Sequence, residues 1–302
     1  MMTANIVDVN DISRSFGRKV ALADVSFRAT QGRVYGLVGA NGAGKTTLIK
    51  HLLGLLRPKS GSVRMFGLDP VRDPVGVLGR VGYLSEEREL PEWMRIDELM
   101  CYTQAYHRTW DVTYARELLN TFGLDPSRKV RELSRGMRAQ AGLVAAVAHR
   151  PQLLILDEPS SGLDAVVRRD ILDAIVRTVA DDGRTVIFSS HLLEEVERMS
   201  DHVTMMHQGR IALDGPLEDV RRGYQRSSVQ FPERVERLPA LDGALAVEGG
   251  GRSWSVVHSG PADRFRQSVA LVGGEVVQSR DATLEEIFVA RVGRSNQDAE
   301  AA

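Results

Sequence analysis

GANGAGKTT, residues 39–47, sets Gly39, four residues, Gly44, Lys45 and Thr46 at the spacing of a phosphate-binding loop. Glycines at these places let backbone N–H groups turn inward around phosphate oxygens, an approach that side chains would block. Lys45 adds a cation able to reach β and γ phosphates, and Thr46 adds a hydroxyl for Mg²⁺. A helix beginning here contributes the partial positive charge of its N-terminus. The expected binding set is Gly39, Asn41, Gly42, Gly44, Lys45, Thr46 and Thr47. A second group stands at 153–158, where LLILDE is an apolar run ending in two carboxylates. Asp157 is placed to hold Mg²⁺ through water. Glu158, which projects differently as the strand ends, is placed to orient an attacking water. Taken alone, two acids at a strand end read as turn residues or caps; the phosphate loop turns that reading toward chemistry. The third group is His191, after the apolar run TVIFSS. A neutral imidazole at the C-terminal end of such a strand can bond a γ-phosphate oxygen.

Strands and helices must bring these three groups together. NIVDV, VALADVSFRA and RVYGLVG read as strands, the last running into the phosphate loop, and a helix follows over 45–56 with apolar residues at helical spacing. Strand signals vanish over 85–150, and WDVTYARELLNTFGL reads as an amphipathic helix with Asp111 at its start, which predicts an inserted helical region. Alternation returns from 151. LLILD and TVIFSS are strands apolar on both faces, AVVRRDILDAIVRTVA and HLLEEVERMS are helices, and HVTMMHQGRIAL is a hairpin pair. The fold class this predicts is α/β, a mostly parallel core sheet covered by helices on both sides, with N-terminal strands before it. Residues 1–222 form this domain. RRGYQRSS is polar and turn-rich, and 223–294 read as a small α+β appendage; the tail 295–302 has too little apolar content to fold.

Composition narrows the classes. Lys plus Arg number 39 and Asp plus Glu 40, so no basic surplus points to nucleic acid, and no nucleic-acid partner is expected. No apolar run approaches the roughly 20 residues of a membrane span, and MMTANIVDVND lacks a signal-peptide core, so a cytoplasmic protein is expected. The single cysteine, Cys101, reads as a core thiol beside Met100 and Tyr102. His51, His107, His149, His202, His207 and His258 read as surface or satisfied core residues.

GANGAGKTT, GYLSEE, LSRGM, LLILDEP, SSGLD and SSH stand in one order over 39–191, and the chain resembles the nucleotide-binding subunit of an ATP-binding cassette (ABC) transporter. The resemblance implies the phosphate-loop NTPase fold of an ABC cassette, with ATP and Mg²⁺ as ligands and ATP hydrolysis as the activity. LSRGM is similar to the family signature LSGGQ at Leu133, Ser134 and Gly136. Two cassettes are thereby implied to pack head to tail, with Ser134 and the Gly136 N–H meeting the γ-phosphate held by the other copy. Phe16, in RSFGRKVAL, matches the aromatic residue on which adenine stacks; the residues alone equally allow a core position in the N-terminal strands. Asp164 matches the loop that communicates between the two sites and also suits a helix N-cap, and the two roles are compatible.

Two departures stand out. Glu86 in GYLSEE occupies the place of a glutamine that touches Mg²⁺ and attacking water; a carboxylate still accepts Mg²⁺ through water but adds negative charge beside the phosphates. Arg135 and Met137 replace glycine and glutamine of the signature, and Arg135 is expected to point away from phosphate. LS-x-GM, GYL-x-EE, AHRPQLLILDEPSSGLD and the ending DATLEEIFVARVG are similar to a bacterial branch of drug, peptide or lipid exporter subunits. The resemblance implies a membrane-spanning permease as partner, together with a second copy of this chain or a related cassette. The chain would then lie on the inner face of the membrane, with its coupling surface near 86–96. Rival readings are a regulatory cassette that scarcely hydrolyses ATP, suggested by Glu86, and a soluble cassette of non-transport type.

Overall fold

The computed structural model describes the backbone of residues 5–300, and the side chains of these except 177–182 and 293–300. The chain runs β1 (Asn5–Phe16), β2 (Lys19–Thr30), β3 (Val34–Val38), α1 (Lys45–Leu52), β4 (Ser60–Met65), α2 (Pro74–Leu78), β5 (Val81–Leu84), α3 (Ile96–Gln104) and α4 (Val112–Thr121). After a 3₁₀ turn at Val130–Glu132 come α5 (Arg135–Val147), β6 (Leu153–Leu156), α6 (Ala165–Asp182), β7 (Thr185–Ser190), α7 (Leu193–Met199), β8 (His202–His207) and β9 (Arg210–Pro216). The remainder is α8 (Leu217–Arg222), β10 (Tyr224–Val235), β11 (Ala244–Ser259), α9 (Ala262–Leu271), β12 (Glu275–Asp281) and α10 (Leu284–Glu300).

Two compact units divide at Ile211/Ala212, earlier than the boundary expected after residue 222, because α8 packs against β10. In the first unit the main sheet has the order β5-β6-β7-β3-β8-β9, and every pair from β5 to β8 is parallel. Every residue of β3, β6 and β7 is buried, which is what strands covered on both faces require. A separate antiparallel sheet, β2-β1-β4, shares a core with α1 through Val7, Leu22, Phe27, Ile49 and Leu52. The strand β4 was not anticipated. Helix α1 also stops at Leu52 rather than at 56, since Gly54 takes φ +72° with the Pro70 carbonyl oxygen 2.2 Å from where a Cβ would sit.

Helices α3, α4 and α5 build the inserted region on a core of Ile96, Leu99, Leu119, Val130, Leu133 and Val144. Asp111 caps α4, its carboxylate accepting from the Tyr114 N–H at 2.9 Å. Cys101 is exposed, contrary to expectation: Ile96, Leu99 and Met100 occupy the inner face of α3, so the next residue points out.

The second unit is the antiparallel sheet β11-β10-β12, on which α9 packs with Phe265 and Val269 against Val229, Phe231 and Val256. RRGYQRSS was read as polar and turn-rich, yet Tyr224–Ser228 opens the central strand β10. Its polarity misled because the polar groups are paired inside: buried Ser227 bonds His258 Nε2 and Ser279 Oγ, each at 2.9 Å. Ala244–Ser259 forms one long strand, β11. The expected unfolded tail is corrected as far as 300, because α10 continues to Glu300. Its first turns are anchored by buried Leu284, Ile287 and Ala290, and extending an existing helix is cheap. Residues 301–302 of that tail lie outside the described residues.

His258 stacks on Phe265 with ring centres 3.6 Å apart, and burial pushes its pKa down to about 4. The unfolded chain, with a histidine near 6.5, takes up the proton first as pH falls. Stability contributed by neutral His258 is therefore complete above about pH 6.5 and is lost toward pH 4, on the order of 2 to 3 kcal/mol. The urea midpoint, read from Trp254 with Trp93 and Trp110 replaced by Phe, should fall over that window, and His258→Gln should flatten the fall.

Candidate active site

Register sets three loops at one sheet edge. β6, β7 and β3 are neighbours, with Leu156 beside Phe188 and Val38 beside Ser190. Chain leaving β3 enters the phosphate loop, chain leaving β6 reaches Asp157 and Glu158, and chain leaving β7 reaches His191. The C-terminal edge of a parallel sheet is where such folds bind ligands. In the loop, Gly44 has φ +110°, and a Cβ there would lie 2.7 Å from the Ala21 carbonyl oxygen, so only glycine fits. Gly44 caps α1 without a side chain, which leaves the first N–H groups of the helix to an incoming anion.

Lys45 is 5% exposed and Glu158 4%. Lys45 Nζ donates to the Gly39 carbonyl at 2.6 Å and lies 3.1 Å from Glu158 Oε1. That second contact is an ion pair without hydrogen-bond geometry, so Oε1 is buried with no hydrogen-bond donor among the described residues. Glu158 itself is held at φ +47°, a strained value for a side chain of this size. Its N–H donates to Ser189 Oγ at 2.8 Å, and its Oε2 lies 2.7 Å from His191 Nδ1. A carboxylate only accepts, so Nδ1 carries the proton, and a neutral ring then offers no N–H to a phosphate from Nε2. Asp157, also sealed from solvent, accepts from Ser189 Oγ at 2.6 Å. Burial, then the negative charge of Asp157, pushes the nearby Tyr83 phenol up to about 12.

A cavity of about 400 Å³ opens over the loop, lined by Phe16, Asn41, Gly42, Gly44, Lys45, Thr46, Thr47, Glu86 and Glu158, with Lys19, Ala21 and Ala43 added to the expected set; Gly39, Asp157 and His191 are not among its lining residues. Phe16 is 47% exposed, with the Arg14 guanidinium 5.1 Å from its ring centre; it is no core residue.

Ser134, Gly136 and Asp164 do not line that cavity. Ser134 is the exposed N-cap of α5, its Oγ accepting from the Met137 N–H at 3.2 Å. A Cβ on Gly136 would meet both Val167 methyls at 3.0 Å, so the start of α5 packs directly on α6. Asp164 caps α6 by accepting from the N–H groups of Val166 and Val167, each at 3.0 Å. Arg135 lies over Gly162, whose Cβ would fall 2.3 Å from the guanidinium.

Three contributors escaped the sequence reading. Ser189 clamps both acids of the β6 end. Glu195 takes the hydroxyls of Ser160 and Ser190 on one buried oxygen, each at 2.8 Å. Arg88, one residue beyond GYLSEE and only 5% exposed, donates from Nη2 to the carbonyls of Pro159 at 3.0 Å and Ser161 at 2.9 Å. Burial, with Arg135 nearby, lowers its pKa from the usual arginine value.

Residues 22–161 match the family model described as ABC transporter. The whole chain is 32% identical to the daunorubicin resistance ATP-binding protein DrrA3 of Streptomyces coeruleorubidus, covering all of both chains. The chain belongs to the ABC transporter ATP-binding family. ABC transporter ATP-binding protein YtrB of Bacillus subtilis is 28% identical over 95% of this chain and 98% of that protein. A solved structure of an ATP-binding subunit of an ABC transporter superposes with a TM-score of 0.66 at 30% identity, over 72% of this chain and 92% of that one. This ABC cassette is an ATPase by family.

Ser189 gives a direct test of the β6 edge. Ser189→Ala removes a charge-assisted bond to Asp157 and the acceptor of the Glu158 N–H, a loss of about 1.5 to 3 kcal/mol. Steady-state ATP hydrolysis should fall roughly ten- to a hundredfold, while nucleotide affinity, set by the loop, changes little.

Proposed function

We propose that two cassettes close head to tail around two ATP molecules and reopen after hydrolysis, driving a separate membrane-spanning permease that exports its substrate. The observation that carries this reading is the chain of contacts Lys45–Glu158–His191 at the edge of the loop cavity. It joins the phosphate-binding cation, the group suited to orient water and a phosphate sensor. Lys45 and the loop glycines stabilise phosphate charge, Phe16 receives the adenine face, Glu158 orients water and His191 follows the γ-phosphate. Adding a base to an exposed aromatic face contributes about 1 to 3 kcal/mol.

Mg²⁺ fits the residues present. Thr46, Asp157 and Glu86 offer only oxygen donors, which suits this cation. Among the described residues no three His, Cys, Asp or Glu side chains gather into a metal cage. Mg²⁺ commonly completes its shell with substrate phosphates and water, so the ion would arrive with the nucleotide and neutralise phosphate charge.

Ser134 and Gly136 stand away from the cavity, exposed serine first, at the start of a helix whose leading N–H groups attract anions. That placement supports their use on the phosphate of a second copy, with Asp164 on the connecting segment. The inserted helical region near 86–96 would carry the permease contact, and 223–294 would be an accessory domain. The match to a daunorubicin resistance protein supports export. Among the described residues no helix is long and apolar enough to cross a membrane, in keeping with a subunit held at the inner membrane face by its permease.

Light scattering of purified Glu158→Gln protein should show a dimer with ATP and a monomer without it, with wild type monomeric in both. Adding Ser134→Glu should abolish the dimer and leave monomer ATP affinity intact. A Glu158→Gln protein that stays monomeric at saturating ATP would sink the composite site.

A further inference from the structure

Two groups of His191 meet one atom of Glu158: the His191 N–H and Nδ1 lie 3.3 and 2.7 Å from Glu158 Oε2. The two residues come from neighbouring strand ends, yet the β6–β7 ladder stops at Leu156 and Phe188, short of both. Side chains, rather than pairing between these strands, therefore join the two ends. Ser189 makes one tie, to the Asp157 carboxylate and the Glu158 N–H. Glu195, on α7 and 7% exposed, makes another. Its Oε2 accepts from Ser160 Oγ, just past Glu158, and from Ser190 Oγ, just before His191, each at 2.8 Å. Ser190 Oγ also accepts from the Leu192 N–H at 3.0 Å, closing a turn with His191 at its middle. The other Glu195 oxygen lies 3.7 Å from Nε of Arg168, whose Nη2 donates to the Leu163 carbonyl at 3.4 Å. Glu195, Ser160 and Ser190 do not line the nucleotide cavity.

We propose that Glu195 is a positioning residue for ATP hydrolysis: one of its carboxylate oxygens holds both the segment after Glu158 and the turn around His191, and so keeps these two groups aligned. This rests on the roles given to Glu158 and His191 above. A single tie fixes a separation and leaves two strand ends free to pivot about it. Ties on both sides of Glu158, Ser189 before it and Glu195 after it, fix orientation as well. A carboxylate suits the task because it only accepts, so both serine hydroxyls must turn their protons to it, and bonds to an ionised acceptor are the stronger ones. Ser190 then keeps a lone pair for the Leu192 N–H. An amide oxygen in the same place can accept both protons, whereas a methyl group leaves two buried hydroxyls without their acceptor. Misalignment at this point reaches the reacting geometry, where a displacement of about 1 Å costs on the order of a hundredfold in rate. The phosphate loop, which sets affinity, is untouched.

The test uses the purified chain as wild type, Glu195→Ala, Glu195→Gln and Ser190→Ala, with Glu158→Gln as reference. Steady-state ATP hydrolysis gives kcat and KM, and a nucleotide titration gives Kd. The Nδ1 proton resonance of His191, assigned in histidine-labelled protein by its loss in His191→Gln, reports the bond to Glu158 without nucleotide. For Glu195→Ala, kcat should fall at least about tenfold, with Kd within about threefold of wild type and the His191 resonance shifted. Glu195→Gln should recover most of kcat. Ser190→Ala is a milder change that serves if Glu195→Ala does not fold; it should lower kcat by about threefold or more and shift the same resonance. Wild-type kcat in Glu195→Ala overturns the proposal, as does wild-type kcat with an unmoved resonance in Ser190→Ala. A loss of affinity as large as the loss of turnover overturns it too, and so does a Glu195→Gln protein as slow as Glu195→Ala. Failure of the underlying reading looks different: Glu158→Gln would then hydrolyse ATP at the wild-type rate with Glu195 intact, and the role of Glu195 would fall with it.

Discussion

A lysine and a glutamate, both almost sealed from solvent, meet at 3.1 Å across the end of the central sheet. Burying two charges is costly, and their mutual attraction offsets that cost fully only when other hydrogen bonds complete both groups. Here they do not: Glu158 Oε1 has no hydrogen-bond donor among the described residues, and Lys45 directs its short bond to the Gly39 carbonyl. In the function proposed here, the pair is a placeholder that an ATP phosphate, carrying more negative charge, would displace. With Lys45 turned to phosphate, Glu158 would be free to act on water. His191 must change partner as well, because its Nδ1 proton is committed to Glu158 at rest. On this proposal nucleotide binding is an exchange of partners rather than the filling of a prepared slot.

That exchange is possible only because the register of β6, β7 and β3 sets three strand ends side by side. The strained backbone of Glu158 keeps its carboxylate over the loop, and Ser189 fixes the strand end by bonding Asp157 and the Glu158 N–H at once. Past Glu158, Arg88 and Glu195 hold the chain at Pro159, Ser160 and Ser161 before it turns into α6 at Asp164.

The parts of the candidate site legible in the sequence are the phosphate loop, whose residue types and spacing are distinctive, and the groups that gain meaning beside it. The glycines and lysine of 39–46 are the first; the acids closing an apolar run and the histidine closing another are the second. Ser189 and Glu195 were hidden because a serine inside an apolar strand and a glutamate on a helix have many ordinary uses, and Asp157 and Ser160, which they hold, lie 32 and 35 residues away. Arg88 sits in a run of charges that reads as a solvated loop, yet its guanidinium is turned inward. The same ambiguity misplaced the start of β10, where polar side chains satisfy one another inside a strand, and Cys101, whose small apolar character says little about which helix face it occupies.

The most direct measurement of the partner exchange is the calorimetric affinity of a non-hydrolysable ATP analogue with Mg²⁺ for wild type and Glu158→Gln, at protein concentrations that keep both monomeric. The account predicts tighter binding to Glu158→Gln by roughly three- to tenfold, about 0.7 to 1.4 kcal/mol, because Lys45 no longer has to leave a carboxylate. Equal or weaker binding would contradict it, and would mean that the ion pair at rest does not compete with phosphate.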